Sequence, residues 1–160
     1  MVANLFYAQR GGVAAHLVAA LDVRARHRQN GSPMTVFRVY ASGDGETHVS
    51  PVELPMVENP GEGVQKVRGL LNIPASSVGI VELTDRLPGE ELHPAPERRL
   101  LVLLTGAYEI ATTSGESEVV RPGDCLLTDD LEGKGHFTRD VGDERVSMVA
   151  VRISDDWELP

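Results

Sequence analysis

The 160 residues carry 24 acidic and 15 basic side chains, a net charge of −9, with 41% hydrophobic and only 4% aromatic content. Acidic surfaces repel the phosphate backbone of nucleic acids, no apolar run reaches the roughly 18 residues needed to cross a bilayer, and no basic-then-apolar leader opens the chain. One cysteine, Cys125, allows no internal disulfide, so the expectation is a cytoplasmic globular protein with neither a nucleic-acid nor a membrane partner.

The charge is uneven along the chain. Residues 1–33 hold Arg10, Arg24, Arg26 and Arg28 against Asp22, a local +3, which leaves −12 on residues 34–160 for the total of −9. After Gly11-Gly12, Val13, Leu17 and Leu21, with Ala14, Val18 and Ala25, recur at helical spacing, and Asn30-Gly31 followed by Ser32-Pro33 ends the pattern. The spacing predicts an N-terminal helical extension over residues 1–33, of about four turns, and a main domain over 34–160. Packing on its own domain or as a loosely attached arm, exchange with a second subunit and a membrane-surface helix are all open for this segment, the last without Trp or Phe anchors on the stripe.

From Met34 onward the pattern turns to β. The runs MTVFRVY, SSVGIVEL, RRLLVLL, AYEIAT, SEVVR, CLLT, GHFTR and RVSMVAVRI alternate with turn-forming clusters such as SGDGE, NPGEG, TTSGES, RPGD and DVGDE. Short strands at a spacing of roughly 8–12 residues with turn signals between them predict an all-β sandwich or barrel. Residues 146–153 are apolar at both odd and even positions, which predicts a strand covered on both faces.

Several polar residues along these strands are candidates for chemistry. His48, in GDGETHVS, reads as a solvent-facing side chain at the start of a strand. Cys125 follows a Pro-Gly-Asp turn with no base beside it and reads as a small buried apolar residue. The pair Asp129-Asp130, just before a Gly-rich bend, reads as turn-forming through its own backbone, with a ligand role as the alternative. Tyr108 is close enough to Gly106 to reach a pocket, and Trp157 is expected to dock on the domain or on a second subunit.

Two segments carry more specific patterns. Residues 88–106, PGEELHPAPERRLLVLLTG, join a turn, a histidine, a strand and a glycine, while residues 121–136, RPGDCLLTDDLEGKGH, join a turn, a short strand, an acidic pair and a second histidine. In order and separation they resemble the cupin superfamily, whose motifs read G-x5-H-x-H-x3,4-E-x6-G and G-x5-P-x-G-x2-H-x3-N. With Gly106 as the closing glycine of the first motif, His93 takes the first ligand position, Ala95 the second and Arg99 the place of the glutamate. In the second motif Gly133 and His136 match, Leu131 replaces the proline and Asp140 the asparagine. HPAP, a PGD turn and D-x-x-G-K-G-H are closest to small single-domain bacterial cupins.

The resemblance spans about residues 35–153 and implies an all-β jelly-roll barrel, the double-stranded β-helix, whose pocket is lined by His93, Arg99 and His136. It implies a homodimer, and a small-molecule enzyme of the isomerase, cyclase, decarboxylase or oxygenase type acting on an oxygenated metabolite, anionic forms included. The Arg-rich, Lys-poor composition fits a GC-rich bacterium and, by analogy, secondary metabolism. Alternate residues on one strand share a face, so His93, Ala95 and Arg99 would all point into the pocket.

Three readings of the histidines stand open. His93 and His136 with a carboxylate (Glu91, Glu97, Asp129 or Asp130) could ligate Fe, Mn, Ni or Zn. A metal-free pocket could use a histidine as acid or base while Arg99 grips an anion. Both histidines could instead merely hydrogen-bond at the barrel mouth. Outside enzymes, a non-catalytic ligand-binding or sensing domain is the competing function.

Overall fold

A computed structural model of the chain describes residues 35–54, 57–59, 67–69, 73–85 and 91–159. The helix expected over residues 1–33 lies outside them. Among the described residues every regular element is a strand, and no helix is long and apolar enough to cross a membrane. In chain order these are β1 (Thr35–Ala41), β2 (Thr47–Glu53), β3 (Val57–Asn59), β4 (Val67–Gly69), β5 (Ala75–Glu82) and β6 (Arg99–Thr105). They are followed by β7 (Tyr108–Thr112), β8 (Ser117–Val120), β9 (Cys125–Asp129), β10 (His136–Asp140) and β11 (Ser147–Ile153).

The strands form a six-stranded sheet in the order β2-β1-β9-β6-β11-β5, a three-stranded sheet in the order β10-β7-β8, and the small β3-β4 ribbon. β1 runs parallel to β9, and every other pairing is antiparallel. The all-β expectation is borne out. Each run singled out by composition became a strand, and β2 was the one long strand the runs did not include. Its sequence, THVSPVE, has Pro51 in the middle, and a proline without N–H is tolerated because β2 sits at the edge of the sheet.

Period-two alternation sorts side chains onto the two faces of the large sheet. Phe37, Val39, Leu103, Leu126 and Met148 on one face pack with Tyr108, Ile110 and Val120 of the three-stranded sheet, so the two sheets face each other across this core. Val36, Cys125, Leu127 and Ile153 point the other way and form a second core with Leu54, Trp157 and Leu159. The large sheet is thus covered on both sides over its centre. This meets the expectation for β11, whose Met148, Ala150 and Ile153 are buried and whose Val149 and Val151 are half-buried. Trp157 packs on the outer core, as a docking residue was expected to.

One glycine shows how tightly the strand ends meet. Gly106, at φ +68°, turns β6 into β7, and an added Cβ would lie 2.8 Å from the Arg145 carbonyl oxygen. No side chain fits there, and the left-handed backbone disfavours one as well.

Candidate functional site

Residues 91–98 form a strap between the two sheets before β6 begins. His93 exchanges both backbone hydrogen bonds with His136 of β10, at 2.9 and 3.0 Å. Two residues later, Ala95 N–H donates to the Asp130 carbonyl at 3.0 Å, beside β9. At Arg99 the chain enters the large sheet, its N–H donating to Thr128 Oγ1 at 3.2 Å. The strap therefore crosses from the small sheet to the large one within seven residues.

Gly135 makes this crossing possible. At φ +80° an added Cβ would lie 2.2 Å from the His93 carbonyl carbon and 2.5 Å from Pro94 N, both main-chain atoms that cannot swing aside. Gly135→Ala is expected to cost roughly 2–4 kcal/mol through left-handed strain and overpacking together. It should also push the His93 strap off β10, which denaturant unfolding and the His93 ring resonance would both register. An unfolding midpoint equal to wild type would show that the strap yields freely.

At the small-sheet end of the strap the two histidines meet. His136 is 5% exposed, and its ring lies edge-on to the His93 ring, with centroids 4.8 Å apart and planes at 67°. His93 itself is exposed. His136 Nδ1 is 2.6 Å from Oδ2 of Asp130, a carboxylate with no solvent exposure. An ionised carboxylate only accepts, so with Asp130 ionised the bond runs from Nδ1–H, and a neutral ring then offers its lone pair at Nε2. Nε2 has no hydrogen-bond partner among the described residues, and neither has the other Asp130 oxygen, Oδ1.

At the other end the charges are arginines. Arg99 Nε donates to Glu97 Oε1 at 2.7 Å, and Arg152, its register partner on β11, reaches Glu97 Oε2 at 3.0 Å. The Arg99 hydrogen bond, with the charges of Arg99 and Arg152 behind it, holds the Glu97 carboxyl below the usual carboxylate range. Two guanidinium groups share one carboxylate, so these three side chains together keep one positive charge.

The expected face of the strap needs correction. His93, Ala95 and Arg99 do not all point into one pocket: Ala95 is buried, His93 exposed and Arg99 half-exposed in its pair with Glu97. The reason is that residues 93–98 are a bent strap bound at separate points, so strand alternation begins only at Arg99.

The arginine that is buried is its neighbour. Arg98 is 7% exposed, with Nε 2.8 Å from Asp129 Oδ1 and Nη2 3.0 Å from Oδ2. Arg38 Nε donates to the same Oδ2 at 2.8 Å, and Arg98 also donates to the Trp157 carbonyl and lies over the Trp157 ring. A hollow of about 470 Å³ bounded by Arg38, Arg98, Asp129, Asp155 and Glu158 adjoins this cluster. A second, of about 240 Å³, is lined by Asp85, Asp140, Asp143 and Glu144, and neither is lined by His93 or His136.

Asp129 and Asp130 thus do more than shape a turn. Being adjacent on a strand end, they serve opposite faces, Asp129 holding arginines and Asp130 holding His136. Strand alternation could have flagged the adjacent pairs Arg98-Arg99 and Asp129-Asp130 as two-faced. It could not say which member would be covered.

The remaining candidates fall outside the strap. Tyr108 is 3% exposed in the core, where burial pushes its phenol well above the ordinary range. Cys125 is buried too, and its thiol is raised by that burial and by Asp124. His48 is half-buried rather than solvent-facing: it stacks on Tyr40, with centroids 5.5 Å apart, and Nε2 is 3.2 Å from Ser42 Oγ.

No group of three or more His, Cys, Asp or Glu side chains among the described residues is placed to hold a metal ion. Asp130 is engaged by His136, Glu97 by two arginines, and Asp129 by two more on the opposite face. Two imidazoles alone make a short donor set for Fe, Mn, Ni or Zn.

No protein-family model matches the chain, and no curated protein matches it either.

Proposed function

We propose that the chain is a cupin-type jelly-roll protein acting as a small-molecule enzyme, in which His136 moves a proton to or from an oxygenated, anionic metabolite. The observation that carries this reading is the contact between buried Asp130 and His136 Nδ1, with no hydrogen-bond partner for Nε2 among the described residues. An imidazole oriented by a carboxylate through one nitrogen and free at the other is the arrangement a general base needs. Asp130 also stabilises the imidazolium that forms when Nε2 takes up the proton. His93, edge-on to the same ring, bounds the approach to it. Arg99 and Arg152, at the opposite end of the strap, carry one charge more than Glu97 and would favour an anionic metabolite only through the longer-range field. The resemblance in sequence and the two facing sheets support the cupin reading of the fold.

Reactions open to such a site are isomerisation or cyclisation of a keto or hydroxy acid, which begin by removing a proton beside a carbonyl, and decarboxylation of a keto acid, in which the protonated ring returns a proton to the enolate left when CO2 departs. The test needs no known substrate. Small keto and hydroxy acids incubated with the protein in D2O should take up deuterium beside the carbonyl, read by proton NMR. His136→Gln should slow that exchange by at least about 100-fold while leaving the fold intact. Equal exchange in both proteins would sink the base assignment. Saturable binding with no exchange in either would favour the ligand-binding alternative.

The metal reading rests on the same contact, because a ligating histidine commonly donates its other N–H to a carboxylate. Protein purified without chelator would then hold a transition metal in stoichiometric amount, lost in His93→Ala and His136→Ala. Trace metal alone, with no gain in thermal stability on adding Fe, Mn, Ni or Zn, would set that reading aside.

A further inference from the structure

We propose that Ser42, His48 and Glu116 form a second active site, a serine hydrolase site for small uncharged esters at the β1–β2 turn. The three side chains meet from two turns and a strand. β1 and β2 close on each other through residues 42–46, with Ser42 N–H donating to the Glu46 carbonyl at 2.8 Å, and the register sets His48 opposite Tyr40. His48 Nε2 lies 3.2 Å from Ser42 Oγ, and Nδ1 lies 3.5 Å from Oε2 of Glu116, in the turn between β7 and β8. Val49 N–H donates to that same oxygen at 2.9 Å and holds it in place. Tyr40 stacks on the imidazole with planes at 26°, which fixes the ring between hydroxyl and carboxylate. None of these residues belongs to the Asp130–His136 pair, so either site stands without the other.

A hydroxyl, an imidazole and a carboxylate joined in that order are the parts of nucleophilic catalysis at acyl groups. Ser42 is the nucleophile and His48 the base. Glu116 is a positioning residue, which orients the ring and opposes the charge it gains. The 3.5 Å spacing is long for a hydrogen bond, as such contacts often are before substrate binds. In the reaction Oγ bonds to the ester carbonyl carbon as its proton passes to Nε2. The tetrahedral oxyanion collapses, the bond to the leaving alcohol oxygen breaks, and that oxygen takes the proton from Nε2. Water then attacks the acyl-serine with the same base, which releases the acid and restores Ser42. Gly43 N–H, directly after the nucleophile, has no hydrogen-bond partner among the described residues, and an N–H in that position serves the oxyanion in hydrolase elbows.

Asp44 decides two properties of the site. At rest the Ser42 hydroxyl donates to Asp44 Oδ1 at 2.5 Å, an oxygen that also accepts Glu46 N–H at 3.1 Å. Those bonds hold the Asp44 carboxyl below the usual carboxylate range, which makes it too weak a base to keep the proton once Oγ attacks. The hydroxyl must therefore turn from Asp44 to His48, and Asp44 acts as a brake. Asp44 and Glu116 also flank the pair with carboxylates, while Glu46 is already paired with Lys134. An anionic ester is repelled there and an uncharged one is not. Ser42 and His48 are half-buried, so both stay open to a small molecule.

A fluorophosphonate probe reports on the serine directly. Attack by Oγ expels fluoride and leaves a phosphonyl-serine, and peptide mapping of the labelled wild-type chain should find it on Ser42. Because that mapping uses the wild type, a variant that fails to fold leaves it standing. Labelled protein should lose its hydrolysis of p-nitrophenyl acetate, as should Ser42→Ala with unchanged far-UV circular dichroism. His48→Gln should slow labelling and hydrolysis by at least about 100-fold. Glu116→Gln keeps an acceptor for Val49 N–H but not the charge, so kcat should fall by about 10-fold or more while KM holds. The acetate should be hydrolysed at least about 10-fold faster than p-nitrophenyl hydrogen succinate, which carries a negative charge. Asp44→Asn should raise the rate several-fold by releasing the hydroxyl. Label found only on other residues, or hydrolysis that survives Ser42→Ala, would overturn the proposal. So would a slower Asp44→Asn chain, since Asp44 rather than His48 would then be taking the proton.

Discussion

Asp129→Ala should destabilise the protein by about 3–5 kcal/mol, the loss typical when one partner of a buried ion pair is removed. Its carboxylate receives Arg38 on one side and Arg98 on the other, with Arg98 7% exposed and sealed beneath Trp157. Without it, two guanidinium groups face each other and Arg98 has no counter-charge at its Nε. For a domain of this size the melting temperature should fall by roughly 6–20 °C. The double variant Asp129→Ala with Arg98→Met should recover part of that loss, because no buried charge is then left uncompensated. Thermal and denaturant unfolding of the three proteins checks both statements. A loss below about 1 kcal/mol in Asp129→Ala would mean that Asp155 and Glu158, across the adjoining hollow, take over the arginines.

Asp130→Asn should leave the fold intact and strike the chemistry. The amide has the shape of the carboxylate but no charge to stabilise an imidazolium at His136, 2.6 Å away. Deuterium uptake into a responsive keto acid should drop by about 10²–10⁴-fold, the range seen when a histidine base loses its acidic partner. A readout independent of turnover is the Nδ1–H proton of His136, which should resonate far downfield in the wild type and move upfield in the variant. Unchanged exchange together with an unchanged Nδ1–H signal would show that Asp130 does not act on His136. The two variants also separate the faces of the sheet: Asp129 governs stability, Asp130 the histidine next to it across the strand.

How much of this was legible in the sequence depends on range. The strands were, since apolar alternation and Gly, Pro and Asp turns are local, and the RRLLVLL and AYEIAT runs became β6 and β7. β2 was less so, because Pro51 contradicts an interior strand and only its edge position excuses it. The histidines of the site were legible as well: His93 and His136 stand in the two motif segments, and the fold brings their rings together. Arg99 stood out for its motif position, yet it pairs locally with Glu97 while Arg98 takes the buried role. Asp130 carried no signal beyond an acidic pair before a bend.

The sequence by itself determined the β class, the turn positions, the acidic balance and the two histidines that meet. Only the tertiary structure decided which of Arg98 and Arg99, and which of Asp129 and Asp130, is buried and toward what. Alternation along a strand dictates that neighbours point opposite ways, but which face is covered depends on segments far off in the chain. For Arg98 that segment is Trp157, 59 residues away, while Asp130 is met by His136, near in the chain but paired through its backbone with His93 on the strap. The exposed edge of β5 belongs to the same category. SSVGIVEL reads as a strand in any setting, and only sheet order made it the last one.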